Sequence, residues 1–121
     1  MTQPAYRLYH NPRCSKSRAA LALMRERGIE PHVIEYLKTP PTLPELRQLR
    51  RQLGLPVREM VRCDEPLYRK LNLDNADDEA LLAAIAHHPI LLQRPILAWG
   101  NRAVIGRPPE EILALISGQI S

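Results

Sequence analysis

The strongest constraint on this chain is the way its breaking residues cut up the first forty positions. Tyr6-Arg7-Leu8-Tyr9 carries the residues of a short strand. Asn11-Pro12 breaks it. Ala20, Leu21, Leu23 and Met24 then recur at helical spacing, predicting a helix from about Ser15 to Arg27 with Gly28 as its stop. His32 to Leu37 reads as strand again. A β-α-β opening of this kind favours a parallel pair joined by a right-handed crossover.

The next stretch changes period. Thr42-Leu43-Pro44-Glu45 has the form of a capping box, with Thr42 as N-cap and Glu45 at the third helical position. Leu46, Leu49 and Leu53 follow on one stripe, and Gly54 ends the helix. Short helices are expected at Val57–Arg62 and Pro66–Leu71, and another from about Asp77, so the block from about 41 to 88 reads as wholly helical. Ile96-Leu97-Ala98-Trp99, Gly100-Asn101 and Arg102-Ala103-Val104-Ile105 form a strand, a two-residue turn and a returning strand. Pro108-Pro109 opens a last helix that Gly118 closes. Strands are thus expected near 6–10, 32–37, 96–99 and 102–106. With the helical block set aside, the order is that of an α/β, thioredoxin/glutaredoxin-like domain: one four-stranded mixed sheet covered by helices, with a helical insertion.

At 121 residues the chain has the length of one domain. It contains no Phe, so its core must come from Leu, Ile, Val, Ala and Met. No apolar run approaches the ~20 residues of a membrane span, and the N-terminus lacks the basic and apolar regions of a signal peptide. Two cysteines 49 positions apart do not make a secreted disulfide framework. A reducing, cytoplasmic setting is the expectation, and there a cysteine is free to do chemistry. The net charge is +4, and 14 of the 17 basic residues are Arg. Without a basic block or interleaved aromatics, nucleic acid is not an expected partner. Arg in excess suits solvated helix faces, and it also suits oxyanions, which its planar fork binds well.

Cys14 is the residue with most to say about chemistry. It follows a strand and opens a helix, where unpaired N–H groups and the positive dipole end favour an anion. Arg13, Lys16, Arg18 and His10 add cationic or donor groups, and a thiol so placed loses its proton more readily. His10 can favour the thiolate or simply orient the loop. Asn11 can hold the turn through its own backbone bonds. Ser15 and Ser17 are hydroxyl donors near the sulfur or caps of the helix, a cap being expected of one of them. Ser17 also makes the site Cys-x-x-Ser, so a second thiol must come from elsewhere. Cys63 is read as inert, because Asp64 and Glu65 follow it; an internal resolving thiol is the alternative. The four histidines form no metal-ligand pattern, and His87-His88 fits a helix C-terminus. No metal or bound cofactor is expected.

Four segments together carry a resemblance. His10-Asn11-Pro12-Arg13-Cys14, Arg62, His88-Pro89-Ile90-Leu91-Leu92-Gln93-Arg94-Pro95-Ile96 and Gly106-Arg107-Pro108-Pro109-Glu110 resemble the glutaredoxin-coupled arsenate reductases, in a shorter, ArsC-like form. The resemblance covers roughly residues 6–117. It implies that Cys14 is the thiolate that attacks arsenic and that His10 assists it. It also implies that Arg62, Arg94 and Arg107 surround the oxyanion, and that Pro95 is cis and faces the thiol. Glutathione would serve as co-substrate and glutaredoxin as partner. Two alternatives share the fold: a glutathione-dependent thiol transferase without arsenate activity, and an RNA-polymerase-binding redox regulator. Ser17 and the three arginines argue against the regulator, whose relatives often carry Cys-x-x-Cys.

Overall fold

The computed structural model describes residues 5–117. Four strands, β1 (Arg7–His10), β2 (His32–Glu35), β3 (Ile96–Trp99) and β4 (Arg102–Ile105), form one sheet in the order β2-β1-β3-β4. β1 and β2 are parallel, and the other two pairings are antiparallel. The expected mixed, thioredoxin-like sheet is the sheet observed.

Five α-helices accompany it: α1 (Ser15–Glu26), α2 (Leu43–Leu53), α3 (Pro66–Lys70), α4 (Asp78–His87) and α5 (Ile112–Ser117). Alternation along the strands divides the core into two layers, because successive side chains point to opposite faces. Leu8 and Leu97 pack with Ala20, Met24, Ile112, Leu115 and Ile116 beneath α1 and α5. Tyr9, Ile96 and Ala98 pack on the other face with Leu46, Leu49, Leu81, Leu82 and Ile85 of α2 and α4. No helix among the described residues is long and apolar enough to cross a membrane.

The capping box forms in full. Glu45 Oε1 accepts from the Thr42 N–H at 2.9 Å, and Thr42 Oγ1 accepts from the Glu45 N–H at 3.2 Å. Gly54 ends α2 in the left-handed region at φ 64°, which a residue without Cβ reaches at no steric cost.

Three expectations need correction. β2 stops at Glu35, because Lys38 and Thr39 both donate their N–H groups to the Glu35 carbonyl and turn the chain at Tyr36. The turn at 57 is a 3-10 helix that ends at Met60. Val61 is extended and bridges to Leu92, so the block from 41 to 88 is not wholly helical. The last helix starts as a 3-10 turn at Pro109–Glu111 before α5, and its expected end at Gly118 lies outside the described residues.

Candidate active site

The site forms where β1 hands the chain to α1. Asn11 makes the turn: its side-chain Oδ1 accepts from the Arg13 N–H, and its carbonyl from the Cys14 N–H, both at 3.0 Å. Ser17 then reaches back from the first turn of α1. Its fully buried hydroxyl accepts from the Asn11 N–H at 3.0 Å and lies 2.6 Å from His10 Nδ1. Neither serine caps the helix; Cys14 itself holds the N-cap position, with φ −93° and ψ 123°. The expectation of a serine cap fails because Ser17 is spent on tying the loop to the strand end.

Cys14 is partly exposed, and its surroundings pull in two directions. Burial pushes the thiol up. The N–H of Ser17, the Arg94 guanidinium and the N–H of Lys16 outweigh it, so the thiol lies below its ordinary value. The helix N-terminus therefore acts on the sulfur as its position predicts. His10 is buried, and burial pushes its imidazole down. Glu35 opposes this, while Arg25 and Arg18 reinforce it. Burial thus favours the uncharged ring, and His10 reaches the site as the partner of Ser17.

The arginines come from three later segments. Arg94 precedes a cis bond to Pro95, the geometry that the resemblance implies, and a second cis bond joins Arg107 to Pro108. Gly106 packs so closely on Pro95 that an added Cβ would stand 2.9 Å from the ring Cγ, which leaves glycine as the residue that fits. Its N–H donates to the Pro95 carbonyl at 2.8 Å. Arg107 Nη1 donates to the Arg94 carbonyl at 3.1 Å. Arg62 is placed by its own N–H, which donates to the Leu91 carbonyl at 2.7 Å. Arg62 and Arg107 line one cavity of about 370 Å³, together with Gln93 and Cys63. The Arg94 guanidinium favours the anion of the sulfur. Its Nε is buried and has no protein partner, one of two such side-chain atoms among the described residues, the other being Gln93 Oε1. A buried, orphaned guanidinium N–H calls for an acceptor.

Tyr36 belongs to this site, although its sequence position pointed only to a strand. The parallel register pairs His10 with Glu35, which sets Tyr36 next to Asn11. The phenol is almost fully buried. Burial pushes it up, and Arg94, an Asn11 hydrogen bond and Arg62 oppose the rise. Cys14 acts on it as well, so one hydroxyl senses the sulfur, two of the arginines and the turn residue. The signal in the sequence was the β-α-β reading itself, which puts the residues after β1 and β2 at one edge of the sheet.

Cys63 lies exposed in the next loop, with its sulfur 3.7 Å from the Val61 carbonyl. No group of three or more His, Cys, Asp or Glu that could hold a metal occurs among the described residues.

Residues 9–115 match the model of the ArsC family. An arsenate reductase of Neisseria meningitidis is 52% identical over 93% of this chain and 99% of its own length. One of Haemophilus influenzae is 45% identical over 90% and 97%. A solved arsenate reductase from Vibrio cholerae superposes with a TM-score of 0.90 at 50% identity, covering 93% of this chain and 98% of that one.

Proposed function

We propose that this chain, which belongs to the ArsC family, is a thiol-dependent arsenate reductase that uses glutathione and glutaredoxin as its reductants. The observation that carries the reading is the pairing of an anion-prone sulfur with a guanidinium whose buried Nε has no partner. Cys14 is shifted toward thiolate by two backbone N–H groups and Arg94, and Arg94 keeps a buried Nε without a protein acceptor. A tetrahedral oxyanion supplies acceptors of that kind, and Arg binds its oxygens through charge-assisted hydrogen bonds. Arg107, held by the Arg94 carbonyl, lines a cavity with Arg62, which Glu59 and Asp64 line as well.

In this reading the Cys14 thiolate attacks As(V) and a protonated oxygen leaves as water, forming an S–As bond. The thiolate of glutathione then attacks the Cys14 sulfur. The S–As bond breaks with its electron pair left on arsenic, so As(V) becomes As(III) and departs as arsenite. The two sulfurs remain as a mixed disulfide, which a glutaredoxin thiol resolves by exchange. Asn11, Ser17 and His10 hold the loop that presents the sulfur. Ser17, at the place of a second cysteine, leaves the resolving thiol to the partner.

The test is arsenite formation by the purified chain with arsenate, glutathione and glutaredoxin, each omitted in turn. Sustained arsenite formation should require the complete mixture, and without glutaredoxin it should stop at the single turnover that leaves the mixed disulfide. Reduction of a small glutathione mixed disulfide with no arsenite formed would make the protein a thiol transferase instead.

A further inference from the structure

Arg62 is already occupied. Its Nη1 lies 2.6 Å from Glu65 Oε2, and its Nη2 lies 3.7 Å from Asp64 Oδ2. The two pairs are not alike. The side chains of Arg62 and Glu65 are 14% and 19% exposed, whereas that of Asp64 is 80% exposed. Backbone bonds fix the near pair: the Arg62 N–H donates to the Leu91 carbonyl, and the Glu65 N–H to the Arg62 carbonyl at 3.2 Å. The Tyr68 N–H donates to the Glu65 carbonyl at 3.0 Å, which anchors Glu65 at the start of α3. A half-buried charge pair is screened by salt less than one on the surface.

We infer that Glu65 is an internal competitor for the oxyanion, a carboxylate that occupies the Arg62 fork and holds down the affinity of the site for tetrahedral anions; this rests on the oxyanion role proposed for Arg62 above. A bidentate anion on Arg62 needs two N–H groups of the fork, and Glu65 holds one of its terminal nitrogens. Its charge beside the guanidinium also repels an anion that approaches Arg62, whereas the carboxylates that line the cavity shared with Arg107 are Glu59 and Asp64. Both effects weaken binding. Affinity for phosphate and arsenate is then lowered alike, and discrimination between them is left to the covalent step.

Inorganic phosphate, titrated calorimetrically into the full chain and its variants, is the probe. Glu65→Gln keeps the shape and removes the charge, and it should bind phosphate about fivefold more tightly than the wild type. Asp64→Asn removes an equal charge at the exposed rim and should gain no more than about twofold. In an Arg62→Gln background the Glu65→Gln gain should vanish, because the competition runs through that guanidinium. With arsenate, Glu65→Gln should lower KM. If Glu65→Gln fails to fold, Glu65→Asp, which retreats from Arg62 by one methylene, should still bind phosphate more tightly than the wild type. Equal or weaker binding by a folded Glu65 variant would make Glu65 a support for Arg62 and overturn the inference alone. A gain from Asp64→Asn as large as that from Glu65→Gln would also overturn it. Absence of oxyanion binding by the wild type and every variant would overturn both this inference and the proposed function.

Discussion

The Cys14 loop and the Cys63 loop each set a cysteine directly beside an arginine, Arg13 in one and Arg62 in the other, and the molecule treats the two quite differently. Around Cys14 the backbone is aimed at the sulfur, with the N–H groups of Ser17 and Lys16 at a helix start and Arg94 brought in from far along the chain. Around Cys63 the backbone offers the carbonyl of Val61. There the neighbouring arginine is turned onto Glu65, and Asp64 lies beside it. The loop's other polar groups are engaged elsewhere. Arg58 donates to the Tyr68 hydroxyl and to the carbonyls of Leu73, Asp74 and Ala76. Burial, with Asp74 and Cys63 against its hydroxyl, pushes the Tyr68 phenol up to about 12. At Cys14, backbone direction and a partner delivered by the fold favour the anion.

The largest test of this contrast is the pair of serine variants. Cys14→Ser should lower arsenate turnover by more than about 10³-fold, since a hydroxyl of far higher pKa cannot replace the nucleophile. Cys63→Ser should stay within about twofold of the wild type if the second thiol comes from glutathione. Loss of turnover in folded Cys63→Ser would make Cys63 the resolving thiol and dissolve the contrast. Next in size is Arg94→Gln, expected to cost about 10²-fold in turnover. It should also raise the pH midpoint of Cys14 alkylation, because the cation that favours the anion is gone; an unchanged midpoint would remove Arg94 from the account.

Smaller effects separate the two scaffolds. Ser17→Ala leaves His10 Nδ1 and the Asn11 N–H without their partner and should cost about 1–3 kcal/mol in thermal or denaturant unfolding, with slower Cys14 alkylation. Tyr68→Phe should cost about 1 kcal/mol at the other loop with turnover unchanged. The smallest effect is on pH. The folded value of His10 is depressed, so its contribution to stability is present above the ordinary imidazole value and is lost as pH falls through that region and below. Melts at pH 7.5 and 5.5 should show this loss, and His10→Gln should make the dependence shallower; an equal slope in both proteins would contradict the neutral buried ring.

Much of the frame was legible in the residues. Breaks at Asn11-Pro12, Gly28 and Gly54 and the Thr42–Glu45 box are local signals, and the structure realises each where its own chemistry places it. The mixed sheet followed from the order of elements. What escaped was set by tertiary contact. Tyr36 reads as strand, but the turn closed on Glu35 and the register of β1 with β2 bring it to the thiol. Ser17 reads as a cap or a hydroxyl donor near the sulfur, but His10 and Asn11 claim it. Arg62 reads as a solvated helix residue or, through the resemblance, as an oxyanion ligand, and Glu65, three residues on, had weight only as a negative neighbour of Cys63 until the turn at 62–65 folded it back. Val61 reads as helical, yet its pairing with Leu92 sets where Arg62 begins.

The most direct measurement is a mass-spectrometric time course of iodoacetamide labelling at pH 7, resolved by cysteine, with and without arsenate and no glutathione present. Cys14 should be labelled first, and arsenate should slow its labelling while leaving Cys63 unaffected. Labelling of Cys63 ahead of Cys14, or a Cys14 rate indifferent to saturating arsenate, would contradict the assignment of Cys14 as the thiolate of an oxyanion site.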